Sequence, residues 1–266
     1  MNAALLRTAA LMTLVLTAAA CTEGSDQAER PHEAPAVSPT GIGCPNEASA
    51  VATPRAESKG HLQGDVDGDG EEDEVFLIYE RNARPGCRAF LILETEEQTF
   101  SAPIADWGDD AFVPELAFLT EVNGRRGREV IVKLGAGASV ELFGMFTWQA
   151  RELRRIDIRG WVHRGGFPIH DPSRDDLVVH GASAGHGDAV DCTRSNMVVI
   201  SSAFPKKGGA GSNPYVIERR FYRPLPDAIV LARQDFAERP GTYAKDFFEF
   251  RSRPFQHCKS SKDLTS

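Results

Sequence analysis

The stretch Asp65-Val66-Asp67-Gly68-Asp69-Gly70-Glu71-Glu72-Asp73 runs almost directly into the apolar run Val75-Phe76-Leu77-Ile78-Tyr79. This junction restricts the fold more than any other part of the chain. Asp65, Asp67 and Asp69 alternate, so a tightly turning backbone carries their carboxylates to one side. Gly68 and Gly70 supply the backbone angles that such a turn demands. Left alone, these charges repel one another. A dense set of hard oxygen ligands suits calcium, which takes roughly six to eight oxygens. In this reading Asp65, Asp67 and Asp69 each give a side-chain oxygen, Glu71 gives its carbonyl and Asp73 gives a further carboxylate. An EF-hand begins in the same way but needs a bidentate Glu at its twelfth position. That position here is Phe76, and it lies in an extended run. The junction therefore predicts a strand, entered through a calcium loop.

The rest of the chain is also written in β. Residues 75–79, 89–93, 129–134, 140–148, 177–180, 196–202 and 215–222 are short runs rich in β-branched and aromatic residues, most of them bounded by Gly, Pro, Asn or Asp. Helical spacing is brief, with short helical pieces expected at 109–118 and around 240–248. Phe143, Phe146, Trp148, Phe221 and Tyr222 fall at strand spacing and should pack in the core or between sheets.

A second stretch, Glu121-Val122-Asn123-Gly124-Arg125-Arg126-Gly127-Arg128-Glu129, has the same relation to the strand-like run at 130–134. Both stretches read as acid, Val, acid or amide, Gly, then an acid just before a strand. Counted forward from the first loop, strands near 75–79, 89–94, 99–104 and 116–120 complete one unit of a loop plus four strands. This spacing resembles the FG-GAP (VCBS) repeats of integrin-like β-propellers, closely at 64–79 and loosely at 116–134. The resemblance implies metal ligands at Asp65, Asp67, Asp69 and Asp73. The second loop departs from the pattern, because Arg125 stands where the third carboxylate belongs. A guanidinium there is expected to neutralise Glu121 and Glu129, leaving that loop metal-free. A full propeller needs at least about four blades, more than this chain supplies. The expected fold is all-β, made of repeated antiparallel units like propeller blades in an incomplete or small variant. A β-sandwich or barrel is the alternative.

The N-terminus points to export. Residues 1–7 carry one positive charge, and 9–20 are apolar or small. Ala18-Ala19-Ala20 leads directly into Cys21, which resembles the lipobox of bacterial lipoproteins. The resemblance implies cleavage before Cys21 and a lipid on its thiol. The alternative is an ordinary secreted protein. Residues 1–20 are thus a signal peptide, and 21–43 are a Pro-, Ser-, Ala- and Glu-rich tether of roughly 25 Å mean span. Residues 44–266 form a single all-β domain held on the outer face of the cell membrane. The chain also looks like small bacterial lipoproteins with one acidic loop, a Gly137-Ala138-Ser139 stretch and a late segment like 187–192. That likeness implies no activity.

Beyond Cys21 the chain holds Cys44, Cys87, Cys192 and Cys258. An even number in an exported domain favours two disulfides. Three pairings exist, and the shorter loops favour Cys44–Cys87 with Cys192–Cys258. A zinc site is disfavoured because no C-x-x-C is present. The net charge of −8 disfavours a nucleic-acid partner.

Two candidates for catalysis stand out. Gly181-Ala182-Ser183-Ala184-Gly185 matches G-x-S-x-G, the nucleophile elbow of α/β-hydrolases. Gly187, Asp188 and Cys192 come next and suit a helix poorly, so a turn between strands is the plainer account. His163, His170, His180 and His186 fall among Asp171, Asp175, Asp176 and Asp188 without a recognised metal spacing. The function expected is a surface-displayed, non-catalytic binding module for an extracellular protein or glycan, with a calcium-stabilised loop. The competing class is an exported hydrolase using 163–191.

Overall fold

The computed structural model describes residues 43–104, 112–160, 176–206 and 214–258. All of these belong to one compact unit, Pro35–Ser266. The signal peptide, Cys21 and the tether lie outside the described residues, apart from Gly43. No helix among the described residues is long and apolar enough to cross a membrane.

The protein is all-β. Among the described residues, a short helix, α1 (Glu47–Ala52), precedes fourteen strands: β1 (His61–Gly64), β2 (Asp73–Tyr79), β3 (Ala89–Glu94), β4 (Thr99–Ile104), β5 (Glu115–Thr120), β6 (Glu129–Ala136), β7 (Val140–Gln149), β8 (Glu152–Arg155), β9 (Asp157–Arg159), β10 (Leu177–Ala182), β11 (Gly187–Cys192), β12 (Val198–Pro205), β13 (Tyr215–Pro224) and β14 (Ala228–Arg239). They form a four-stranded sheet, β1-β2-β3-β4, and a ten-stranded sheet, β5-β6-β7-β10-β11-β12-β13-β14-β9, with β8 paired to β7. Every pairing is antiparallel except β14 with β9.

The grouping of strands differs from the expected unit by one strand. The acidic loop does not open a unit. It joins the first strand to the second, between β1 and β2, and the second loop joins β5 to β6 in the same place. The two meanders are therefore β1-β2-β3-β4 and β5-β6-β7-β8. The strand at 115–120, expected to close the first unit, begins the second instead. It also stands where the end of the helical piece expected at 109–118 was placed; positions 109–111 lie outside the described residues. The bulge at Leu116/Phe118 shows why its spacing misleads: one extra residue breaks the alternation.

The first sheet is apolar on both faces, which explains the unbroken runs at 75–78 and 89–93. One face, carrying Val75, Leu77, Leu91 and Leu93, packs against Val130, Val132, Leu134 and Phe146 of the second meander. The other face, with Phe76, Ile78, Phe90 and Ile92, packs near Ala50 of α1.

Strand β7 passes the chain from the second meander to the rest. Its first half pairs with β10 and its second half with β8. The segment 152–159 then bonds β7 through β8 and β14 through β9. The long sheet thus curls around a second core of Ile131, Met145, Val178, Val190, Val198 and Tyr222 without closing.

Two disulfides tie the ends down, Cys44–Cys87 and Cys192–Cys258. The first holds the N-terminal segment to the turn between β2 and β3. The second holds the C-terminal segment to β11. That segment carries two 3-10 turns, Ala244–Asp246 and Phe248–Phe250, where short helical structure was expected.

Candidate metal centre

The first loop folds around its own last carboxylate. Asp73 opens β2 and is 2% exposed. Its Oδ2 accepts the backbone N–H of Val66 at 2.7 Å and of Asp67 at 3.1 Å. Asp65 Oδ1 accepts from Gly68 N at 2.7 Å, and Asp67 Oδ1 from Asp69 N at 3.0 Å. Each of these three side chains anchors the loop through one oxygen and has a second to offer. The ligand oxygens of Asp65, Asp67 and Asp73 lie within 4.8 Å of one another. Oxygens bound to calcium at about 2.3–2.6 Å are at most about 5 Å apart, so the group is compact enough for one such ion.

Electrostatics agree with that arrangement. The carboxyls of Asp67 and Asp73 are both raised, first by burial and then by repulsion from the neighbouring acids. A divalent cation would relieve both effects. Asp69, also expected as a ligand, is exposed, and its carboxylate stands outside the group of three; Glu71, expected to give its carbonyl oxygen, is exposed. Asp69 Oδ1 instead accepts Glu71 N at 2.8 Å.

The second loop repeats the cage with different chemistry. Glu129 opens β6, and its Oε2 accepts Val122 N at 2.6 Å and Asn123 N at 3.3 Å. Its Oε1 accepts from the hydroxyl of Thr147, at 3.2 Å, and that hydroxyl accepts from Asn123 Nδ2 at 3.0 Å. Arg125 is exposed, and what holds Glu129 is hydrogen bonding rather than the expected guanidinium. Burial pushes the Glu129 carboxyl up to about 7.

The two loops interlock. Arg128 N donates to Asp65 O at 2.9 Å. Gly68, at φ +86°, leaves no room for a Cβ, which would lie 2.9 Å from the Arg126 backbone. A Cβ on Gly127, at φ +88°, would lie 2.4 Å from Val66 O. Gly127 and Arg128 thus pack directly against the first loop, and Thr147 completes the cage of the second, although their spacing alone carries no metal signature.

The described catalytic candidates make the following contacts. Ser183 sits in the hairpin between β10 and β11, in a strand–turn–strand rather than a strand–turn–helix. Its Oγ accepts the N–H groups of Gly185 at 3.2 Å and His186 at 3.3 Å, and lies 2.8 Å from His186 Nδ1. His180 is buried, with Nε2 2.8 Å from Ser252 O, and burial lowers its pKa. Asp176 Oδ1 accepts Ile158 N at 2.8 Å, and Asp188 Oδ1 accepts the Ser202 hydroxyl at 2.8 Å. Burial raises the Asp188 carboxyl. His163, His170, Asp171 and Asp175 lie outside the described residues. Among the described residues, Asp65, Asp67 and Asp73 are the one group of three or more His, Cys, Asp or Glu with metal-binding proximity.

No family model, curated protein or solved structure matches the chain.

Proposed function

We propose that this protein is a surface-displayed, non-catalytic binding domain, held at the outer face of a membrane by a lipid on Cys21 and braced by calcium at Asp65, Asp67 and Asp73. The observation that carries the calcium reading is the loop itself. One carboxylate oxygen from each of three side chains lies within 4.8 Å of the others, and each side chain also holds the loop in shape through a backbone hydrogen bond. The hydrogen-bond cage duplicated around Asp73 and Glu129 supports descent from an FG-GAP-like repeat. The non-catalytic reading is supported by the dispersal of the described histidines: His61 stacks on Phe76, His180 meets Ser252 O, His186 meets the Ser183 hydroxyl and His257 meets Asp191, with no two of them sharing a partner.

The calcium reading is tested by titrating calcium into the mature chain by calorimetry and repeating with Asp67→Ala. Saturable heat from the wild type and at least a tenfold weaker affinity in the variant are expected. No heat, or equal heat from both, ends the calcium reading. The anchor is tested separately by intact mass of Cys21→Ser against wild type in a lipoprotein-processing host. The wild type should carry acyl mass at its N-terminus, and the variant should not.

A further inference from the structure

We propose that the second loop is a metal-free clamp on the calcium loop, closed by the Thr147 hydroxyl in the place an ion would hold. Thr147, Asn123 and Glu129 are then positioning residues for calcium, although none of them touches it. The proposal rests on the calcium reading and deepens it.

The two loops correspond residue by residue. Asp65, Asp67 and Asp73 of the first match Glu121, Asn123 and Glu129 of the second. Their outer hydrogen bonds correspond too. Asp73 accepts Val66 N and Asp67 N, and Glu129 accepts Val122 N and Asn123 N. The difference lies at the centre. Asp67 and Asp73 each contribute an oxygen to the group of three acids. Their counterparts turn to one buried hydroxyl instead. Thr147 Oγ1 donates to Glu129 Oε1 at 3.2 Å and accepts from Asn123 Nδ2 at 3.0 Å. A hydroxyl is both donor and acceptor, so it joins a carboxyl to an amide with no ion between them.

Strand register explains why one loop has this closure and the other lacks it. Val130 pairs with Phe146, so one step on Glu129 lies opposite Thr147. Glu74 pairs with Glu94, so one step on Asp73 lies opposite Thr95. Each meander thus sets a threonine across from the last acid of its loop. Thr95 is committed to its own hairpin. Its Oγ1 donates to Gln98 O at 3.3 Å and accepts Glu97 N at 3.3 Å and Gln98 N at 3.2 Å.

The closed loop reaches the calcium ligands through backbone. Arg125 N donates to Asn123 Oδ1 at 2.8 Å, and Glu129 fixes the far end. Between those anchors the Arg126 backbone lies against Gly68, Gly127 lies against Val66 O, and Arg128 N donates to Asp65 O. Gly68 N is also the donor that orients Asp65 Oδ1, at 2.7 Å. A second loop held shut therefore holds Gly68, and Gly68 holds the Asp65 carboxylate. Rigidity of the ligands tunes calcium affinity, and ordering the loop beforehand removes part of the cost of binding. Such coupling is reciprocal, so calcium tightens the second loop in turn.

The test measures calcium affinity by calorimetry, and amide hydrogen exchange with and without calcium, on the mature chain. Calcium should slow exchange across 121–129 by roughly fivefold or more, although that loop supplies no ligand. Thr147→Val keeps the volume, loses the hydroxyl and should weaken calcium binding roughly tenfold. Thr147→Ser keeps the hydroxyl and should stay within about twofold of the wild type. Ile217→Val, in a separate apolar cluster, controls for general loss of stability and should leave affinity unchanged. Equal affinities in the wild type and Thr147→Val would overturn the clamp and leave the calcium reading standing. So would equal losses in Thr147→Val and either Thr147→Ser or Ile217→Val, or exchange in 121–129 that ignores calcium. A wild type that takes up no calcium ends the calcium reading and the clamp together.

Discussion

A buried carboxyl governs how the second loop responds to acid. Burial raises Glu129 from 4.5 to about 7. The folded chain then keeps a proton that the unfolded chain releases, so this group makes stability fall as pH rises from about 4.5 to about 7, with no further change above. The shift corresponds to at most about 3 kcal/mol. Glu129→Gln keeps an acceptor for Val122 N and Asn123 N, and removes the titration. Urea unfolding from pH 4 to pH 8 should therefore show a shallower loss of stability in the variant; identical slopes would contradict the burial argument. Asp67 and Asp73 are raised for the same first reason, so in the metal-free chain they also cost stability once ionised. Gly127 offers a test of the interlock. Its Cβ would meet Val66 O, so Gly127→Ala should destabilise the fold by about 1–3 kcal/mol and weaken calcium affinity together. A variant that lost stability with its calcium affinity intact would uncouple the two loops.

Among the elements, strand pairs and the C-terminal segment carry different loads. Each meander presents an inner face to the other, and the disulfides act at the margins. Sequence separations of 43 and 66 residues imply about 4 kcal/mol for each bridge in the chain-entropy picture. The second bridge holds the C-terminal segment. Replacing Cys192 and Cys258 together by Ser should lower the melting temperature. It should also raise hydrogen exchange in 244–258 more than in β2 or β3, since His257, Phe255 and Ser252 depend on that closure. Uniformly raised exchange would place the bridge inside the common core instead. The strands that pattern reading missed have reasons of their own. In β14, Arg233, Gln234 and Asp235 follow Ala228-Ile229-Val230-Leu231, and the ladder to β13 keeps that charged half extended. In β11, two acids and a glycine hide a strand that is buried between β10 and β12.

For the whole molecule, a calcium ion bound at the first loop would act by linkage. A ligand that binds only the folded state at about one hundred times its Kd adds about 2.7 kcal/mol. Adding a chelator should therefore lower the melting temperature of the wild type and leave that of Asp67→Ala unmoved. A melting temperature indifferent to both would remove the bracing role. Local pattern alone determined the β class, the loop at 65–73 and its echo at 121–129, and the even cysteine set. Alternation, turn residues and like charges at close spacing act over a few residues and need no partner. Tertiary structure alone decided that the loops sit inside their meanders, that they lock against each other through Gly68 and Gly127, and that Glu129 is caged without a guanidinium. It also decided that the Thr147 hydroxyl stands between Asn123 and Glu129. Those contacts join residues tens of positions apart, and which distant strands come together is settled by the burial of whole faces, not by any short run of residues.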